Sequence, residues 1–172
     1  MNAEAEKMIA ALGLAPLPQE GGFFRQTWLS PERGLDGRPV SSAILFLLTP
    51  DHFSALHRLR STEQWYFHAG DSVEHVQLNP ADRSAQVSRL GSEVLAGQRL
   101  QLTVPHTTWQ GARLQPAATD CACGWALLSC GLAPGWDDRD FELGGRQALL
   151  AEFPEHTAII TALTRTGCHP DF

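Results

Sequence analysis

Two side chains in this sequence stand where they can do acid/base or metal chemistry together. If residues 55–59 form a strand, alternation puts Ala55, His57 and Leu59 on one face and Leu56 and Arg58 on the other. In the next stretch, 63–68, the same alternation groups Glu63 with Trp65 and Phe67, and two aromatic rings mark that face as the inward one. Glu63 is therefore expected to point inward. A carboxylate on an apolar face must be paired, hydrogen-bonded, bound to a metal or protonated, because an unpaired buried charge is costly. His57, six residues back, is the available partner. An imidazole and a carboxylate facing one cavity are the parts of a general acid/base pair or of a metal site. They also make a plain buried His–Glu hydrogen bond, and the residues alone leave these readings open. The other histidines, at 52, 68, 75, 106, 156 and 169, fall mostly in turn-like or exposed-strand contexts.

The elements that must position this pair read as β-structure. From Gly22 to Leu132, apolar-rich segments of five to eight residues are separated by turn residues such as Gly21-Gly22, Asp36-Gly37, Thr49-Pro50-Asp51 and Asn79-Pro80. Strands are expected at 23–28, 41–48, 55–59, 63–68, 73–78, 85–90, 100–104, 109–114 and 125–132, none with an interior proline. About nine antiparallel strands with short hairpins favour a sandwich or barrel. Residues 2–14 place Met8, Ile9 and Leu12 on one face of a short helix closed by Gly13 and Pro16, expected to serve as a lid or dimer arm. Residues 142–166 return to helical spacing through Leu149, Leu150, Phe153, Ile159, Ile160 and Leu163.

Composition narrows the partners. The chain of 172 residues is 43% apolar and 19% charged, which suits one globular domain over 1–172. Thirteen Lys and Arg against nineteen Asp and Glu give a net charge of −6, and no cationic cluster exceeds a pair, so neither nucleic acid nor an anionic membrane is an expected partner. The longest apolar run, Ala43 to Leu48, is six residues, against roughly 20 needed to span a bilayer. With no basic leader at the N-terminus, a cytoplasmic protein is expected. Of the cysteines, Cys121, Cys123, Cys130 and Cys168, the C-x-C pair does not have the usual spacing of a structural zinc site, and Cys130 reads as a small core hydrophobe.

The stretch His57, Leu59, Glu63, Gly70 runs H-x-L-x3-E-x6-G and resembles the first cupin motif, with Leu59 in place of its second histidine. Pro105-His106-Thr107-Thr108-Trp109-Gln110 resembles the second motif, P-x-G-x2-H, with Thr107 at the glycine place and Gln110 at the histidine place. Together with Glu20-Gly21-Gly22-Phe23-Phe24-Arg25, Glu63-x-Trp65, Ala133-Pro134-Gly135-Trp136 and Phe141-Glu142, these blocks make the chain similar to the cupin-like DUF985 (cupin-5) family over about residues 20 to 142. The chain departs from the common pattern at Tyr66-Phe67-His68, where the outer pair is exchanged, and at Gln26, usually an acidic residue.

The resemblance implies an all-β double-stranded β-helix, or jelly-roll, barrel over 20–142 with flanking helices at 2–14 and 142–166, a pocket open at one end, and a homodimer. It places a catalytic pair at His57 and Glu63. A weakly held divalent ion would sit on His57, Glu63 and Gln110, a set short of the usual three histidines. Ligand contacts are expected from Arg25, Ser42, Phe46, Trp65, Phe67, Trp109 and Gln110, with Arg25 able to meet an anionic group. The functions expected are acid/base chemistry of isomerase or epimerase type on a sugar-like or other small polar metabolite, non-catalytic ligand binding, and metal-dependent lyase or oxygenase activity. No cofactor is required by the sequence.

Overall fold

Strand-length apolar segments bounded by tight turns cannot bury their inner faces alone, and the chain resolves this by stacking two antiparallel sheets. The computed structural model describes residues 1–115 and 122–165. In chain order the first strands are β1 (Ala15–Pro16), β2 (Phe23–Leu29), β3 (Ser42–Leu48), β4 (Ser54–Arg58), β5 (Thr62–Gly70) and β6 (Val73–Leu78). They are followed by β7 (Ala85–Leu90), β8 (Gln101–Val104), β9 (Trp109–Leu114), β10 (Ala126–Ala133) and β11 (Glu142–Leu143). One sheet has the order β1-β2-β3-β10-β5-β8 and the other β11-β4-β9-β6-β7. Neighbours distant in sequence, such as β3 beside β10, make this a jelly-roll sandwich, as expected.

The inner faces meet in a core of Phe46, Leu48, Trp65, Val73, Leu90, Val104, Ala112 and Leu128. The helix expected at 2–14 is α1 (Ala3–Leu12), capped by the Asn2 side chain and ended by Gly13 at φ +61°. It packs Met8, Ile9 and Leu12 on the outer face of the first sheet, against Phe23, Leu47 and Trp125. It is a cover for that face and not the expected lid. The C-terminal segment also differs from expectation: Glu142 and Leu143 pair with Arg58 and His57 as an edge strand. Helical structure resumes at α2 (Arg146–Glu152) and α3 (Thr157–Ala162), which seal Leu56, Val76, Leu78 and Trp109 on the outer face of the second sheet. Thr166 of the expected helical span, Cys121 and Cys168 lie outside the described residues.

Candidate functional site

One end of the sandwich opens into a cavity of about 940 Å³, lined by strands of both sheets and by the chain entering β2 and leaving β10. Alternation along β3 sends Ser42, Ile44 and Phe46 into it, β4 contributes His57, and β5 contributes Glu63. Its mouth is bordered by segment 134–143. There the Trp136 amide donates to Ser42 Oγ at 2.9 Å, and Arg38 pairs with Asp140 and donates to the Gly135 carbonyl at 3.2 Å. Phe141 stacks on the His57 ring, centroids 5.4 Å apart.

The polar centre of the cavity is built from three strands and one loop. His57 Nδ1 lies 2.8 Å from the Ala55 carbonyl, which can only accept, so Nδ1 carries the proton and Nε2 is the free ring atom. Nε2 is 3.9 Å from Glu20 Oε2, an ion-pair distance too long for a hydrogen bond. Glu20, on the loop before β2, accepts from Ser54 through Oε1 at 2.7 Å. Glu63 Oε2 accepts from Gln110 Nε2 at 2.5 Å, and Gln110 Oε1 in turn accepts from the Trp65 indole at 3.0 Å. The indole is a donor only, so it fixes which end of the Gln110 amide faces Glu63. Burial raises the Glu63 pKa to about 7, with the Glu20 charge adding to the rise and His57 and the hydrogen bond from Gln110 opposing it. Behind Glu63, the Cys130 thiol is pushed up by burial and by the nearby carboxylates. A cysteine that reads as core packing therefore also lines the cavity.

The expected site residues separate into three groups. His57, Glu63, Ser42 and Phe46 line the cavity, and Arg25 stands exposed on its rim. Trp65 and Gln110 do not line it but stand behind Glu63 and hold it. Phe67 and Trp109 do not reach it. Phe67 packs against the inner core. Trp109 faces the opposite side of the second sheet, under α2 and α3, with the Arg58 guanidinium 4.4 Å over its ring. Alternation explains the correction: Gln110 faces inward, so the residue before it must face outward.

Of the expected metal set, Gln110 turns its amide nitrogen to Glu63 and its oxygen accepts from the Trp65 indole. Among the described residues no three His, Cys, Asp or Glu side chains group closely enough to hold one.

Two residues of this centre escape the sequence reading. Glu20 figures there only as part of a block, because a loop carries no periodicity that shows inward direction. His75 falls there among exposed histidines, yet it is fully buried with its ring 4.9 Å from Trp65 and neither nitrogen hydrogen-bonded. Alternation gives no signal for it, because Val76 and Leu78 make the opposite face of that strand the more apolar one and only the helical layer explains both faces being buried.

Comparison with known proteins agrees with this architecture. The sequence model described as Cupin superfamily (DUF985) matches residues 6–144. Among solved structures, a protein from Shewanella oneidensis is similar at 34% identity, covering 97% of this chain and 99% of its own, with a TM-score of 0.86. A hypothetical protein from Leishmania major is similar at 33% identity, over 94% and 99%, also with a TM-score of 0.86. A cupin 2 conserved barrel domain protein from Rhodopseudomonas palustris shares the fold at 16% identity and a TM-score of 0.59, over 90% and 92% of the two chains. No curated protein matches the chain.

Proposed function

This chain belongs to the Cupin_5 family (DUF985) of the cupin superfamily, and from that premise we propose that it binds a small polar metabolite in its cavity and moves a proton on it, as isomerases and epimerases do. The observation that carries this reading is Glu63: a buried carboxyl on the cavity wall, pushed up to about 7 and held by Gln110. A general acid/base works best when its pKa lies near the operating pH. His57 is the second proton carrier, since its pinned Nδ1 leaves Nε2 to accept from a substrate C–H or O–H. Ser42, whose oxygen already accepts from the Trp136 amide, has its own proton free for a ligand oxygen. Phe46 gives a flat apolar wall and Arg25 meets an anionic end at the rim.

The test is proton exchange. A panel of hydroxy-carbonyl compounds is incubated with the protein in D2O and the signal of the carbon-bound proton next to the carbonyl is followed by NMR. The parent exchanges at least one compound, and Glu63→Gln lowers that rate by about 100-fold or more. Saturable binding of panel members with no exchange assigns a non-catalytic binding protein instead.

A further inference from the structure

Three hydrogen-bond acceptors line the same cavity, Glu63 being one of them in its ionised form. Glu20 offers Oε2, since Oε1 is taken by Ser54. Glu63 offers Oε1, since Oε2 is taken by Gln110. His57 is 1% exposed and offers Nε2, whose nearest charged partner is at 3.9 Å, because Nδ1 is spent on the Ala55 carbonyl. Among the described residues Arg25 is the arginine that borders the cavity, and Arg165 interacts electrostatically with Glu20 from outside it. Arg25 stands exposed on the rim. Arg38 is engaged with Asp140, Ser61 and the Gly135 carbonyl. Arg165 donates to the main-chain oxygens of Gln19, Glu20 and Phe53 and does not line the cavity.

We propose that this part of the cavity receives a protonated nitrogen of the ligand, so that the substrate class is a small organic amine or amino-bearing metabolite. The inference rests on the cavity being a ligand site, as proposed above, and specifies which charge enters it. An ammonium group carries three N–H donors and its acceptors stand about 2.8 to 3.0 Å from the nitrogen. Of the three acceptors, His57 Nε2 and Glu20 Oε2 are 3.9 Å apart, and Glu63 interacts electrostatically with both. The walls agree with the charge. Phe24, Phe46, Phe141 and Trp136 line the same space, and aromatic faces attract cations electrostatically. Asp138, which accepts from the Trp136 indole at 2.8 Å, adds a third carboxylate at the mouth.

A charge series of one shape tests this. Benzylamine, benzyl alcohol and benzoate are titrated at pH 7.5 into the parent, Glu20→Gln, Glu63→Gln and Glu155→Gln, with binding read by ligand-observed NMR and calorimetry. Glu155 is exposed and remote from the cavity, so its variant controls for loss of one negative charge. The expected result is benzylamine binding to the parent at least tenfold tighter than the other two, with the preference kept in Glu155→Gln and lost in Glu20→Gln and Glu63→Gln. Equal or tighter binding of benzyl alcohol or benzoate overturns the amine inference while leaving the cavity as a ligand site. A preference that also disappears in Glu155→Gln overturns it, as attraction to net charge only. Saturable binding by none of the three overturns the amine inference, and the proton-exchange panel decides separately whether the cavity is a ligand site. If a glutamine variant does not fold by circular dichroism, the parent series and the Glu155→Gln control decide.

Discussion

Glu63 and His75 are buried titratable groups driven in opposite directions, and each leaves a signature in how stability depends on pH. Glu63 faces His57, Glu20, Cys130, Gln110 and Trp65, and burial raises its pKa from 4.5 to about 7. Between those values the folded chain holds a proton there that the unfolded chain has lost, so stability falls as pH rises. The full effect is on the order of 3 kcal/mol at most, taking about 1.4 kcal/mol for each tenfold change in proton affinity. His75 faces Trp65, Gln110 and His57, and burial lowers its pKa from 6.5 to about 3. In that range the unfolded chain binds a proton that the folded one refuses, so stability rises with pH. From about pH 4.5 to 6.5 the two slopes oppose one another. Urea unfolding at pH 5, 6 and 7 separates them. Relative to the parent, Glu63→Gln gains stability steadily as pH rises, and His75→Leu loses it. Profiles parallel to the parent's in both variants would mean that neither group is titrating as its burial demands. At this scale sequence reading succeeds where a side chain belongs to an alternating strand with an unambiguous inward neighbour, as for Glu63 beside Trp65. It fails for Glu20, whose direction is set by a loop, and for His75, which shares a face with Gln77 while Val76 and Leu78 mark the other face of the strand as apolar.

Two connecting segments set the geometry around the pair, and each answers to one residue. In the first motif, Gly70 has φ +94° and a Cβ there would run into the Trp125 carbonyl, so the glycine at the end of β5 is a backbone requirement. The second motif needs the same freedom at Thr107, where a β-branched residue occupies φ +63° while its amide donates to the Leu59 carbonyl at 2.7 Å. The left-handed conformation costs a non-glycine residue about 1 to 2 kcal/mol, and glycine's greater freedom when unfolded returns about 0.4 to 1 kcal/mol of that. Thr107→Gly is therefore expected to stabilise the protein by about 0.5 to 1 kcal/mol in thermal or urea unfolding, and a loss of stability would show that the bond its hydroxyl donates to the His106 carbonyl, at 2.6 Å, outweighs the backbone cost. The other segment, 134–143, is fastened through Arg38, which joins Ser61, the Gly135 carbonyl and the nearly buried Asp140. Arg38→Ala leaves that carboxylate without its cation, a loss of about 3 kcal/mol or more for a buried pair. It also releases the Phe141 ring from His57, so ligand affinity falls with stability. Stability falling without any change in affinity would separate this segment from the cavity.

At the scale of the whole molecule, most of the strand succession is legible in the sequence, because sheets that bury one face advertise it with period-two alternation and Gly- or Pro-marked turns. The expected strands at 63–68, 73–78 and 109–114 lie within or coincide with β5, β6 and β9. The layers outside the sandwich are less legible. A pattern of apolar residues at helical spacing says that α1, α2 and α3 must cover something, but not which surface, and Trp109, expected at the cavity from its place beside the second motif, lies under that cover instead. That outer layer also reaches the cavity. Beyond α3, Arg165 spans from the C-terminal segment to the loop that carries Glu20, donating to the carbonyls of Gln19, Glu20 and Phe53 at 3.1, 2.7 and 3.0 Å. Three positive φ angles flank Glu20 in this loop, Gln19 at +65°, Gly21 at +98° and Gly22 at +75°, so its path is held by these contacts more than by its own preference. Arg165→Ala removes three charge-assisted bonds at once, while the packing of Leu149, Phe153, Ile160 and Leu163 stays in place. The expected result is faster amide hydrogen exchange confined to residues 19–23, together with weaker binding of any cavity ligand that contacts Glu20, and little change across β4 and β9. Exchange that rises evenly over the whole second sheet would instead make the arginine a general fastening of the helical layer, with no particular hold on the cavity.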